Sequence, residues 1–164
     1  MALDSMKIEI TDHSDLALKE VQARLSAALE MVGNQAEYYA KMYIGDSMRA
    51  NIDLTRYGEK DNSRVDTGAM RNSVTHAISG GAAYIGSNLP YAVYHELGTG
   101  IYASQPGGRQ TPWVYTDRHG QTHRTRGLYP IHFLKNAASM HVDEYRRIME
   151  DILGGGTGGN PPTS

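Results

Sequence analysis

The chain has 164 residues, of which 40% are hydrophobic and 21% charged, with a formal net charge of −2 and no cysteine. This length fits one domain with a single core. The near-neutral balance offers no global basic field for nucleic acid, and the lack of cysteine excludes disulfides and cysteine-ligated zinc. No stretch approaches the roughly 18 apolar residues of a membrane helix. Charges spaced through Met1–Thr11 leave no apolar run of the kind a signal peptide needs. Eleven of the aromatic residues are Tyr, beside single Trp113 and Phe133. Such rings with polar tips suit the edge of a small core or an interface.

Ile8 and Ile10 alternate with Glu9 and Thr11, which predicts a short strand. Ser14 or Asp15 caps the helix that follows. Leu18, Val21, Leu25, Ala28, Leu29, Val32, Ala36 and Tyr39 or Ala40 recur at three- and four-residue steps, with Tyr43 and Met48 extending the stripe more loosely. This predicts one long amphipathic helix from about Leu16 to about Asn51, weakened locally by Gly33 and Gly45. Its length exceeds the usual range of about 8–20 residues, so it has to cross a whole sheet or meet a neighbouring subunit.

Asn51–Arg64 is polar and irregular and reads as a loop. Asp66 is placed to accept a backbone N–H from a one-turn helix. Val74–Ser79 and Ala82–Gly86 read as strands turned by Gly80-Gly81. Pro90–Leu97 is a short helix with Tyr91, Tyr94 and Leu97 on one face, stopped by Gly98-Thr99-Gly100. After a loop over Tyr102–Gly108, Pro112–Thr116 and Gln121–Thr125 flank a four-residue hairpin turn, Asp117-Arg118-His119-Gly120. Pro130 precedes a last helix from about Ile131 to Leu153, with Leu134, Ala138, Val142, Tyr145, Met149 and Ile152 as its apolar face. The expectation is an α+β domain over residues 1–153, a long N-terminal and a C-terminal helix packed on a small antiparallel sheet, with a disordered Gly/Pro/Thr-rich tail over 154–164. A sheet that small cannot cover both helices, a first hint of assembly.

Catalytic and metal signatures are incomplete. His95-Glu96 begins a zinc-protease motif, but no second histidine follows at the required spacing. His119 and His123 bracket the hairpin, with no carboxylate or cysteine at ligand spacing to complete a metal site. Ser73 and His76 lie three apart on a predicted strand and so point to opposite faces. The glycine clusters Gly98-Thr99-Gly100 and Gly107-Gly108 lack the Lys-Ser/Thr and following helix of a phosphate loop. No catalytic residue, cofactor or metal is expected.

Charge is distributed unevenly. Between Ile101 and Lys135 stand Arg109, Arg118, Arg124, Arg126 and Lys135 against the single acid Asp117, a local +4 that leaves −6 elsewhere. A basic hairpin carrying Trp113, Arg118, Arg124 and Arg126 is an expected docking element for a neighbouring acidic surface. Contact with DNA phosphates and a simply solvated hairpin are the alternatives.

The segment Val65-Asp66-Thr67-Gly68-Ala69-Met70-Arg71-Asn72-Ser73-Val74 resembles the "DTG-small-Leu-Arg-x-Ser-Ile" motif of a phage morphogenesis family. Three further elements follow in the same order: Tyr84-Ile85-Gly86, Tyr91-Ala92-Val93-Tyr94-His95-Glu96-Leu97-Gly98-Thr99 and Pro130-Ile131-His132-Phe133-Leu134-Lys135-Asn136-Ala137. Together they resemble the gene-product-ten-like tail-completion and head–tail joining proteins of lambdoid siphophages, over roughly Leu16–Ile152. The insertion carrying Trp113 and its hairpin, and Met70 where Leu is commoner, depart from that pattern.

The resemblance implies a non-enzymatic virion protein of the neck or tail, made in the bacterial cytoplasm. It would act as one subunit of a homo-oligomeric ring between the connector and the tail terminator or tube. DNA would pass nearby without specific binding, and no membrane would be involved. A tail terminator of the same fold is the alternative role; a host-directed binding module or a hydrolase represents the other classes. The family positions Asp66, Thr67, Gly68, Arg71, Ser73, Tyr94, Glu96, Gly98, Thr99, Pro130 and Phe133 are then structural. Asp66 and Thr67 would fix a turn, Gly68 would permit close approach, and Glu96 and Thr99 would satisfy backbone groups where the short helix ends.

Overall fold

The computed structural model describes residues 14–46, 68–117 and 119–154. The strand expected at Ile8–Ile10, the loop 51–64, the far end of the first helix, Asp66, Thr67, Arg118 and the tail from 155 lie outside these residues.

Helix α1 spans Ser14–Asp46. Its stripe is buried only from Ala28 onward, at Ala28, Leu29, Ala36, Ala40 and Ile44. Three of these five are alanines, which let the covering elements approach closely. α1 packs against the first hairpin on one side and the two C-terminal helices on the other.

Helix α2 (Ala69–Ser73) runs directly into strand β1 (Val74–Ser79), which pairs antiparallel with β2 (Ala82–Ser87), Val74 opposite Ser87 and Ser79 opposite Ala82. The turn between them needs positive φ at both central residues, and Gly80 (57°) and Gly81 (77°) supply it. Along β1, Val74, His76 and Ile78 are covered while Thr75, Ala77 and Ser79 are exposed, so the period-two alternation lays one face on α1.

Helix α3 (Ala92–Leu97) ends at Gly98, and a 3-10 turn follows at Gly100–Tyr102. Strands β3 (Trp113–Thr116) and β4 (Thr122–Thr125) pair antiparallel, Trp113 opposite Thr125. The two hairpins form separate two-stranded sheets, so the expected single sheet is corrected: only the β1–β2 pair lies on α1.

The expected single C-terminal helix is two, α4 (Phe133–Met140) and α5 (Val142–Leu153). His141 breaks it, with φ −118° and ψ 21°. In a continuous helix the Ala137 carbonyl would accept the N–H of residue 141. Here it accepts the Tyr145 hydroxyl at 2.6 Å, while the His141 ring stacks flat on Tyr39 of α1 with centroids 3.4 Å apart. A side-chain bond and a ring stack thus replace one rung of the helix.

The core joins α1, α2, β1, α3 and α4: Ala40 and Ile44 of α1, Met70, Val74, Ala92, Ile131, and Phe133 and Ala137 of α4, edged by Tyr39, Tyr43, Ile85, Leu89 and Leu134. Phe133, Ile44 and Val74 are its largest fully buried side chains.

Candidate functional site

Of the motif residues singled out in the sequence, Glu96, Gly98, Thr99 and Pro130 meet at the junction of α3 and α4. Glu96, on the last turn of α3, reaches across to the start of α4. Its two carboxylate oxygens accept the backbone N–H of Leu134 at 2.9 Å and of Lys135 at 3.0 Å. A helix N-terminus has unpaired N–H groups and a partial positive charge, which a carboxylate satisfies together. No local residue does this, because His132 at the N-cap sits at φ 55° and makes no side-chain cap bond. The chain is fixed there by Ile131 N–H to the His95 carbonyl at 2.7 Å.

The same junction fixes Thr99 and the glycines. Thr99 Oγ1 accepts the Leu128 N–H at 2.9 Å, and Thr99 N–H donates to the Leu128 carbonyl at 2.8 Å. Ile101 N–H reaches the Arg126 carbonyl at 3.1 Å. Gly98, at φ 74°, lies so close to the Leu128 and Tyr102 carbonyls and to Pro130 Cδ that a Cβ would stand 2.8 Å from each. Glu96 and Thr99 therefore satisfy backbone groups of the returning chain and of α4, not of the end of α3 as expected.

Gly68 also differs from expectation. The nearest atom to a Cβ there is 3.8 Å away, so its φ of 70° rather than close packing calls for glycine. Ser73 Oγ donates to the Met70 carbonyl or to Ser87 Oγ, both 2.7 Å away, and so ties α2 to β2. Arg71 and Tyr94 are exposed, and Phe133 is fully buried. Ser73 closes α2 rather than lying on a strand, and it does not meet His76.

Next to this junction, an open cleft of about 440 Å³ is walled by Val93, Tyr94 and Leu97 of α3, Ala103 and Pro106 of the glycine-rich loop, and Trp113 of β3. The Arg109 guanidinium lies over the Trp113 ring, 5.5 Å from its centroid. Beyond it, the β3–β4 hairpin exposes Val114, Tyr115, Arg124 and Arg126. Asp117 shapes the turn: one carboxylate oxygen accepts N–H groups of His119 and Gln121, the other meets His123 Nε2 at 2.8 Å. The His123 bond, with those backbone donors, holds the Asp117 carboxyl below its usual range. The His123 ring is thus turned to Asp117. Among the described residues no group of three or more His, Asp or Glu could hold a metal ion, and no helix is long and apolar enough to cross a membrane.

One cluster was not anticipated. His76 of β1 meets Glu37 of α1 through Nδ1 at 2.6 Å and Glu30 through Nε2 at 3.1 Å, and its own N–H donates to Glu37. The Glu37 hydrogen bond raises the His76 pKa against the opposing effect of burial, with Glu30 adding to the rise. Burial pushes Glu37 upward, but hydrogen bonds from Lys41 and His76 outweigh it and leave Glu37 low. Gly33 makes room: a Cβ there would lie 2.5 Å from His76 Cδ2. The available signal was Glu30, Gly33 and Glu37 on one helical face, at spacings of three and four.

No family model matches the chain, and neither a curated protein nor a solved structure matches it.

Proposed function

We propose that the chain is a structural, non-enzymatic subunit of the neck or tail of a long-tailed bacteriophage or prophage. It acts in head–tail joining or tail completion as a member of a ring, among connector, tail-terminator or tube proteins. The reading places it in the virion, after assembly in the host cytoplasm, with DNA passing nearby and no sequence read. The observation that carries the reading is the order and spacing of the four motifs, from Asp66-Thr67-Gly68 through Tyr84-Ile85-Gly86 and Tyr94–Thr99 to Pro130–Ala137. Two features support it. The motif side chains that make described bonds spend them on the fold, with Glu96 on α4, Thr99 on Leu128 and Ser73 on Ser87. The basic hairpin stands clear of the core with Val114, Tyr115, Arg124 and Arg126 exposed, the composition of a docking element.

The test is to change Arg118, Arg124 and Arg126 together to Ser. Arg124 and Arg126 are exposed, and exposed charges contribute roughly 0–1 kcal/mol each to folding, so the subunit should stay folded with little change in melting temperature. Joining of tails to filled heads is lost. Infectious particles at normal yield would refute the contact role, and an unfolded variant would place the hairpin in the core.

A further inference from the structure

The open cleft beside α3 has apolar walls and one charge. Val93, Tyr94, Leu97, Pro106 and Trp113 line it, and Arg109 is the only charged residue in its lining. Its volume of about 440 Å³ falls in the range of ligand sites. Val93 and Tyr94 are 48% and 56% exposed, so the walls are open to an occupant. The Arg109 guanidinium rests over Trp113, its Nε donates to Thr111 Oγ1 at 3.2 Å, and no carboxylate among the described residues pairs with it. A segment that complements this cleft therefore brings apolar side chains with an acid beside them. A strand of nucleic acid would call for several cations along its backbone, and the lining holds one.

One segment of this chain has that chemistry. Residues 1–13, 47–67 and 155–164 lie outside the described fold. The second stretch carries four bases and four acids and the third no charge, whereas the first carries Lys7 against Asp4, Glu9 and Asp12, a net −2. In an extended segment Ile8, Ile10 and Asp12 share one face, with Lys7, Glu9 and Thr11 on the other. The first face offers two aliphatic side chains followed by a carboxylate, the complement of the cleft. Distance decides which copy supplies it. The α3 wall starts next to Ala92, which shares the core with Ala40 and Ile44. Ser14, the first residue of α1, lies about 39 Å along the helix from Ala40 at about 1.5 Å per residue. From Ser14 back to Ile8 an extended chain covers at most about 22 Å. The segment thus falls short of its own cleft. Residues 14–23 of α1 are exposed without interruption, so the helix carries the segment clear of its own body.

We propose that the segment Ile8–Asp12 of one copy docks in the cleft of a second copy, with Ile8 and Ile10 against Tyr94, Leu97 and Trp113 and Asp12 at Arg109. Donor and acceptor patches differ, so a copy that receives a segment still has its own to give. Such a contact propagates into a closed ring or an open filament. It does not rest on the neck reading and would hold for an assembly of another function.

Trp113 is the only tryptophan, so its fluorescence reports on the cleft directly. The full chain carrying Ile8→Ser and Ile10→Ser keeps its cleft and has no segment to give. A synthetic peptide of residues 1–13 shifts its Trp113 emission to shorter wavelength, with a Kd on the order of 10 μM, the weak class to which so small a contact belongs. An Asp12→Lys peptide binds about threefold less tightly or weaker still. In sedimentation velocity at about 100 μM, ten times that Kd, wild type forms species of dimer mass and above. The Ile8→Ser/Ile10→Ser chain and a Val93→Asp chain, whose cleft repels the segment, are each monomeric. Mixed in equal amounts they form dimers and stop there, since one brings only a cleft and the other only a segment. Circular dichroism confirms that each variant is folded. A monomeric wild type, variants that associate like wild type, or a mixture that stays monomeric or grows past the dimer overturns the proposal. So does a native peptide that leaves Trp113 unchanged, an Asp12→Lys peptide of equal affinity, or a scrambled peptide or single-stranded oligonucleotide that shifts Trp113 as the native peptide does. Particle joining is scored separately, so failure here leaves the neck reading to its own test.

Discussion

Removing the Glu96 carboxylate tests the bond that couples two of the sequence motifs across 38 and 39 positions of chain. Glu96→Ala leaves the Leu134 and Lys135 N–H groups without their acceptors. The Leu134 bond is part-buried and the Lys135 bond exposed, so water replaces the second more readily than the first. Loss of a helix N-cap costs about 1 kcal/mol, and loss of a negative charge at a helix N-terminus adds about 0.3–1 kcal/mol. Alanine's better helix propensity within α3 returns only a few tenths. The expected loss is about 1–1.7 kcal/mol, a fall in melting temperature of about 2–7 °C for a domain of this size. Glu96→Gln keeps one acceptor and loses the charge, so it should cost about half as much. Urea unfolding followed by far-UV circular dichroism gives both values from the midpoints at constant slope. A Glu96→Ala loss below about 0.5 kcal/mol, or equal losses for the two variants, would refute the capping argument.

Gly33→Ala should destabilise by about 1–2 kcal/mol, although alanine is intrinsically the better helix former by about 1 kcal/mol, because its Cβ drives into the His76 ring; a stabilised variant in the same urea assay would contradict this. Phe133→Ala should cost about 3–5 kcal/mol, since the ring is fully buried at the centre of the core; a loss under about 1 kcal/mol would show that the site is not packed as described. The His76–Glu37–Glu30 cluster predicts a pH signature in thermal melts. His76 titrates above its ordinary 6.5, so its contribution is full below 6.5 and is lost as pH rises through the raised value. Glu37 titrates below its ordinary 4.5, so its contribution is present above 4.5 and is lost as pH falls through the lowered value. The cluster therefore contributes most between about 4.5 and 6.5, and His76→Gln should flatten the decline above 6.5; an unchanged pH profile in that variant would assign the decline to other groups.

Local signals carried most of the secondary structure. The stripe from Leu18 to Ala40 located α1, Gly80-Gly81 located the first hairpin turn, and Gly98 marked the end of α3. The break at His141 was not legible. Leu134, Ala138, Val142, Tyr145, Met149 and Ile152 keep helical spacing straight through it, and the Tyr145 bond and Tyr39 stack that replace the missing rung depend on tertiary contacts. The separation of the two hairpins was hidden for a similar reason. Both show alternation, but only β1 presents Val74, His76 and Ile78 to a helix that receives them. At the α3–α4 junction, motif order singled out Glu96 and Thr99 without showing what they bind, since their partners lie about thirty to forty positions away. Gly33 looked like a local weakness of α1, and only the position of His76 explains it.

The most direct test of the proposed role is deletion of this gene from the genome that carries it, followed by electron microscopy of any particles in the lysate. The neck reading predicts DNA-filled heads and separate tails that fail to join, with joining restored when the chain is supplied in trans. Joined, infectious particles at normal yield in its absence would contradict it.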